Sequence, residues 1–254
     1  MPLSLQLYSM RNAPDADRVF ADCAAYGVSA VEGYGGVIAD AGACKRALDE
    51  HGLTMPSSHF ALDDIRDAPE TVIERSKFLG ITKVFAPYLD AALRPKTASG
   101  YAAIADLLAE RGKMFADHGL TVGWHNHDFE FEALEDGALP MQAMFDAQPD
   151  LPWEADLGWV IRAGVDPLDW LGNHMANIQA IHVKDLAPAG ENANEDGWAD
   201  LGDGTADWAG IIQTVRTAKP DMLFVLEHDN PSDPYRYLQR SAQAFHSIWE
   251  TTHG

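Results

Sequence analysis

Basic residues are scarce in this chain. Its 254 residues include 18 lysines and arginines against 39 aspartates and glutamates, a formal charge of −21. A polyanion approaching such a surface is repelled over several Debye lengths unless a local basic patch intervenes, and no cluster of Lys and Arg supplies one. Nucleic acid is therefore excluded as an expected partner. Cysteine is nearly absent: Cys23 and Cys44 fall in separate helix-like segments without ligand-like spacing, which excludes a disulfide scaffold and a thiolate zinc cage and suits reduced core residues. No apolar run reaches the roughly 18 residues of a membrane span, and the start MPLSLQLYSM lacks the basic opening and long apolar stretch of a signal peptide. These absences predict a soluble, cytoplasmic protein with no membrane partner. No GxGxxG or GxxxxGK[ST] follows the first apolar run either, which argues against a nucleotide-binding open sheet.

What is present is a regular alternation. A hydrophobic content of 46% supports one large packed domain spanning residues 1–254. Short β-favouring runs at 3–8, 28–33, 53–60, 82–87, 120–125, 153–157, 178–184 and 222–227 predict strands. Helix-periodic segments lie between them at 15–26, 37–51, 70–79, 101–118, 166–175, 207–218 and 233–251, with a weaker one near 139–147. Gly27, Gly52, Gly80 and Gly119 each end a helical run just before an apolar strand, as in the αβ loops of repeated βα units. Eight such units predict an α/β fold, a single (β/α)8 TIM barrel.

The strand ends carry the chemistry. In a parallel barrel all C-terminal strand ends open onto one mouth, so residues far apart in sequence converge there. His125, Asp156, His182 and Glu227 each close one of the last four apolar runs. Alternation places them on inward faces: Gly123, His125 and His127 on the fifth strand, Glu154 and Asp156 on the sixth, Ala180, His182 and Lys184 on the seventh, and Leu223, Val225 and Glu227 on the eighth. The expected product is a metal site.

Several segments, in order and spacing, resemble one family. They are LQLYSMR (5–11), VEGYGG (31–36), SSHF (57–60), GWHNHDFEF (123–131), WEADLGWV (153–160), IHVKDL (181–186), LGDGTADW (201–208) and LEHDNPSDPYRYLQRS (226–241). The chain resembles the sugar phosphate isomerase/epimerase-like proteins of the xylose-isomerase-like TIM barrel superfamily. The resemblance implies one divalent cation held by Glu, Asp, His and Glu on strands five to eight. Asp156, His182 and Glu227 fall on the last three of these positions, while His125 stands where the family has its first Glu.

Two imidazoles and two carboxylates suit one divalent metal ion, Mn²⁺, Mg²⁺, Co²⁺ or Zn²⁺. Such an ion can hold the adjacent hydroxyl and carbonyl oxygens of a keto-sugar and stabilise the enediolate through which isomerisation, epimerisation and β-elimination all pass. With His125 in place of one carboxylate base, proton abstraction from one side by Glu227, with Lys184 as acid or electrostatic helper, is the simpler chemistry. His127, two residues further along the same face, is the rival fifth-strand ligand, and His125 is preferred because the strand ends there.

Tyr8, Glu32 and His59 end the first three strands and, with His127, are expected to hydrogen-bond substrate hydroxyls. Trp159 and Trp198 are expected to pack against the C–H surface of a sugar or polyol. Glu154, one layer deeper, suits a buried hydrogen-bonding role behind the ligands, and Asp185 points away from the mouth, where it caps a loop. Gly202 and Gly204 could turn around a phosphate, but Asp200, Asp203 and Asp207 crowd that turn, favouring an unphosphorylated substrate. Two other readings stand beside the isomerase, epimerase or lyase: a non-catalytic sugar-binding barrel, and an endonuclease-IV-like DNA repair enzyme, which the negative charge opposes. A homo-oligomer is left open, since no apolar stripe marks an interface.

Overall fold

In the computed structural model, which describes residues 3–252, eight parallel strands close into a barrel. They are β1 (Leu3–Gln6), β2 (Ala30–Gly33), β3 (Thr54–His59), β4 (Lys83–Ala86), β5 (Thr121–His125), β6 (Trp153–Asp156), β7 (Ile178–Val183) and β8 (Leu223–Leu226). Each pairs with the next in chain order, and β8 returns to β1 through Leu3–Phe224, Ser4–Val225 and Leu5–Leu226. The α/β barrel expected from the alternation is the observed fold.

Two hydrophobic regions follow from the two faces of each strand. Leu5, Val31, Val84, Trp124, Trp153, Ile181 and Phe224 point outward and join the helices in one large core. Inward-facing Phe85, Ala180, Leu223 and Val225 form a small separate plug inside the barrel. Above that plug the inner wall turns polar, and the strand ends can therefore carry charge without breaking the main core.

Local signals set the connections. Gly52 and Gly80 take φ of +66° and +80° at helix C-termini, a left-handed turn that costs a Cβ-bearing residue more, and Gly27 and Gly119 turn in the same way. Proline opens the helices Pro69–Leu79, Pro140–Ala147, Pro167–His174 and Pro234–Thr251, where its missing N–H costs nothing. The weak helical signal near 139–147 is one of these.

Beyond shifts of a few residues at element ends, three features depart from the sequence expectation. β1 stops at Gln6, whose side chain accepts from the Tyr8 N–H and turns Leu7–Met10 into a 3-10 helix, so Tyr8 is not a strand residue. Helix 37–51 is broken at Asp40, which caps Ala41–His51 by accepting from Ala43 N. The loop after β7 forms a small antiparallel ribbon, Asp185–Leu186 against Trp198–Ala199. No described helix is long and apolar enough to cross a membrane.

Candidate active site

The four residues expected at the ends of β5 to β8 meet at the mouth: His125 and Asp156 are the last residues of their strands, His182 is one before the end of β7, and Glu227 is one beyond β8. His125, Asp156, His182 and Glu227 each offer a ligand atom, all within 4.8 Å of one another, and every one of the four is buried. Asp156 ends β6 and begins the helix Leu157–Arg162, accepting from Trp159 N through Oδ1 at 2.9 Å, which fixes the carboxylate as an N-cap. Its Oδ2 is buried with no hydrogen-bond partner. Burial raises the Asp156 pKa well above the usual carboxylate range, with nearby Glu227 adding to the effect and Lys184 opposing it.

Glu227 behaves differently because it has partners. Its Oε2 lies 3.0 Å from His182 Nδ1 and 3.1 Å from Lys184 Nζ. Burial disfavours its charge, but Lys184 and His182 outweigh burial and hold the carboxyl well below its ordinary range. Lys184 follows β7 at 1% exposure and donates to Asp229 Oδ1 at 2.7 Å. Burial works against its ammonium, and Asp229, Glu227 and Asp156 together hold it charged.

Beneath the mouth lies a second polar layer. His182 Nε2 is 2.7 Å from Glu32 Oε1, which also accepts from Gln6 Nε2 at 2.7 Å. His59 Nε2 sits 2.6 Å and His125 Nδ1 3.2 Å from Glu154 Oε2. Carboxylates placed behind two imidazoles in this way fix which ring nitrogen faces the mouth. Burial, together with the His182 and His59 rings, pushes the His125 pKa well below its usual value, so this imidazole is neutral. Burial also opposes charge on His182, but Glu154, Glu227 and Glu32 overcome it and raise that pKa well above the usual value.

The sequence profile of the xylose isomerase-like TIM barrel family matches residues 20–248. This chain belongs to that family. Among solved members of the fold, a sugar phosphate isomerase/epimerase from Parabacteroides distasonis superposes with a TM-score of 0.78 at 18% identity, covering 95% of this chain and 92% of the other. The probable 3-DHS dehydratase AsbF from Bacillus anthracis, involved in petrobactin synthesis, gives 0.76 at 17% identity, covering 97% and 99%. The IolI protein, crystallised with a binding zinc atom, gives 0.77 at 13% identity over the whole of both chains. At these identities the likeness is one of fold. No curated protein sequence matches this chain.

Within this xylose isomerase-like barrel the remaining expected site residues separate by depth. His127 lies past the end of β5 at the rim, its ring 5.2 Å from those of both His125 and Trp159. Burial, then Lys184, lowers its pKa to about 3. Tyr8 is exposed at the rim, with the Arg11 guanidinium 4.0 Å over its ring and Tyr34 packed edge-on. Glu32 and His59, expected to meet substrate hydroxyls, belong to the lower layer, where Glu32 Oε1 and the His59 ring are taken up by Gln6, His182 and Glu154 and by each other. Trp198 also lies deeper than expected. It is fully buried, with Arg162 3.4 Å and Lys184 4.4 Å from its ring centre, so it supports these cations and offers no open face to a sugar.

Three neighbours of the site escaped the sequence reading. Asn126 ties β5 to β6: its amide donates to Asp156 O at 3.0 Å and accepts from Asp156 N at 3.0 Å and Trp153 Nε1 at 2.8 Å. Asp229 anchors Lys184, and Gln6 braces Glu32. The inward parity of Gln6 on β1 was a usable signal. Asp229 and Asn126 lie just beyond strand ends, where alternation no longer assigns a direction.

Proposed function

We propose that this chain is a divalent-metal-dependent isomerase, epimerase or lyase acting on a keto-sugar or related polyol. The observation that carries the reading is Asp156 Oδ2, a buried carboxylate oxygen with no hydrogen bond and the Lys184 ammonium no nearer than 3.7 Å, ringed by atoms of His125, His182 and Glu227. An unsatisfied buried acceptor costs about 1–3 kcal/mol, more when charged, and a cation removes that cost. The donor set fits Mn²⁺, Mg²⁺, Co²⁺ or Zn²⁺. When bound, the ion supplies Lewis acidity that eases proton loss beside a carbonyl.

The chain's own groups divide the remaining work. Glu227, kept ionised, is the base that takes the proton, and Lys184 holds its carboxylate in place and can return a proton to a substrate oxygen. The opposite side offers only His125, whose depressed pKa makes it a weak base. One-sided chemistry, isomerisation or elimination, is therefore favoured over two-faced epimerisation. At the rim, His127, Trp159 and Tyr8 are positioned to contact the substrate.

The substrate is read as unphosphorylated because the loop after β7 already holds an anion. The Asp185 carboxylate accepts from Leu186 N at 2.9 Å, Gly202 N at 3.0 Å, Gly204 N at 3.3 Å and Ala206 N at 3.2 Å. Those are the N–H groups a phosphate in this loop would need.

The test is turnover of a keto-sugar panel in heavy water by metal-loaded, chelated and Glu227→Gln protein. Loaded wild type is expected to exchange substrate hydrogen for deuterium. Chelation or Glu227→Gln should cut the rate on the order of 10²-fold to 10⁴-fold. A metal-free protein that keeps full activity would falsify the reading, and binding without exchange would mark a sugar-binding barrel instead.

A further inference from the structure

One layer below the proposed ion, a second set of donors converges. His59 Nε2, His125 Nδ1 and His182 Nε2 lie 2.6, 3.2 and 3.4 Å from a single oxygen, Glu154 Oε2. Glu32 Oε1 stands 3.2 Å from His59 Nε2 and 2.7 Å from His182 Nε2. Ligand atoms on a tetrahedral ion with bonds near 2.0–2.1 Å sit roughly 3.3 Å apart, and these separations scatter about that figure. All the residues concerned are buried.

Hydrogen bonding alone does not account for the arrangement. Three imidazoles sharing a carboxylate would divide between its two oxygens, yet all three crowd Oε2 while Glu154 Oε1 is buried with no partner. Glu32 Oε2 is bare in the same way.

Formal charge points in the same direction. In the lower layer the carboxyl groups of Glu32 and Glu154 face the ammonium of half-buried Lys83 on the inward side of β4. Two carboxylates against one ammonium leave that layer net negative. Buried negative charge must be balanced, either by protons on the imidazoles or by a second cation bound to them. One ring nitrogen cannot carry both.

We infer that the barrel holds a second divalent ion, beneath the first, ligated by His59, His125, Glu154 and His182, with Glu32 within reach. Three imidazoles and a carboxylate select a borderline ion, Zn²⁺ or Co²⁺, over Mg²⁺. His182 turns Nδ1 toward Glu227 and Nε2 toward Glu32 and Glu154, and His125 is likewise common to both sets, so these two rings join the centres. When both nitrogens are ligated, the ring proton leaves to solvent. Two ions bridged in this way stand roughly 6 Å apart.

Ion counting tests this without any turnover. Chelated protein is reloaded with Zn²⁺, desalted and measured by mass spectrometry, and Co²⁺ loading is followed by visible absorption. Wild type is expected to hold two ions per chain, with Co²⁺ bands growing in two stages. His59→Gln and Asp156→Asn are each expected to hold one, the first losing the deep ion and the second the outer. One ion in wild type that Asp156→Asn abolishes overturns the deep site while leaving the proposed function intact. Two ions in both wild type and His59→Gln overturn it as well. If Asp156→Asn keeps both ions, the outer-ion reading fails instead. The Co²⁺ titration of unaltered protein decides the count even if a variant does not fold.

Discussion

A methyl group at residue 158 would collide with the main-chain oxygen and Cβ of Lys184. Glycine there lets the helix that begins at Asp156 pass directly over the end of β7, which keeps Lys184 beside Glu227 and Asp229. Gly158→Ala is expected to lower kcat by roughly 10²-fold, the scale of an ångström-sized misplacement, with a much smaller change in KM. Steady-state kinetics of the variant checks this. Glu130 offers a different test. Burial pushes its carboxyl up to about 8, although N–H groups of His127 and Trp124 favour the charged form. The folded chain thus holds the Glu130 proton more tightly than the unfolded chain does. The stability this lends is full below about 4.5 and is lost as pH rises toward 8. Glu130→Gln should flatten the loss, on the order of 1 kcal/mol per pH unit between those values. Urea midpoints across the range would show it, and parallel pH slopes in the two proteins would count against it. Residue parity along strands made His125, Asp156, His182 and Glu227 legible in the sequence. It did not reveal that Glu32 and His59 bend into a lower layer, because depth along a barrel axis depends on register and shear, not on alternation.

Among the elements, the loop between β7 and the helix Trp208–Ala218 depends most on a single side chain. Arg236 bonds Glu195 and Asp200, both nearly buried, and so fastens this loop to the last helix. Arg236→Met takes the guanidinium from two nearly buried acids, leaving Glu195 with Ser232 and His228 and Asp200 with Arg240. The cost is expected on the order of 2 kcal/mol, below that of a fully buried pair because Arg236 is 33% exposed. Hydrogen exchange should quicken at residues 192–200 before it does in the barrel strands; unchanged exchange there would remove Arg236 from this role. Strands and glycine caps were readable because each has a local cause. The ribbon of Asp185–Leu186 with Trp198–Ala199 was not, since two-residue strands have no period to detect.

At the scale of the whole molecule, the proposed metal predicts a link to stability. An ion that binds only the folded chain adds RT ln(1 + [M]/Kd), about 2.7 kcal/mol at a hundred times Kd. Adding a chelator should therefore lower the unfolding temperature by several degrees. The raised pKa values of Asp156 and His182 mean that protons must leave as metal enters, so affinity should rise with pH. Calorimetry in buffers of different ionisation enthalpy measures that release, and a pH-independent affinity would contradict it.

The loop that closes on Asp185 has one further consequence. A loop built to grip a substrate phosphate keeps its N–H groups free until that phosphate arrives. Here the chain supplies the anion itself, covalently attached and permanently in place, so the turn at Gly202 and Gly204 is set before any substrate arrives. On the proposed function, recognition would fall to the ring of groups around the mouth, telling substrates apart by the arrangement of their hydroxyls, not by a charged handle.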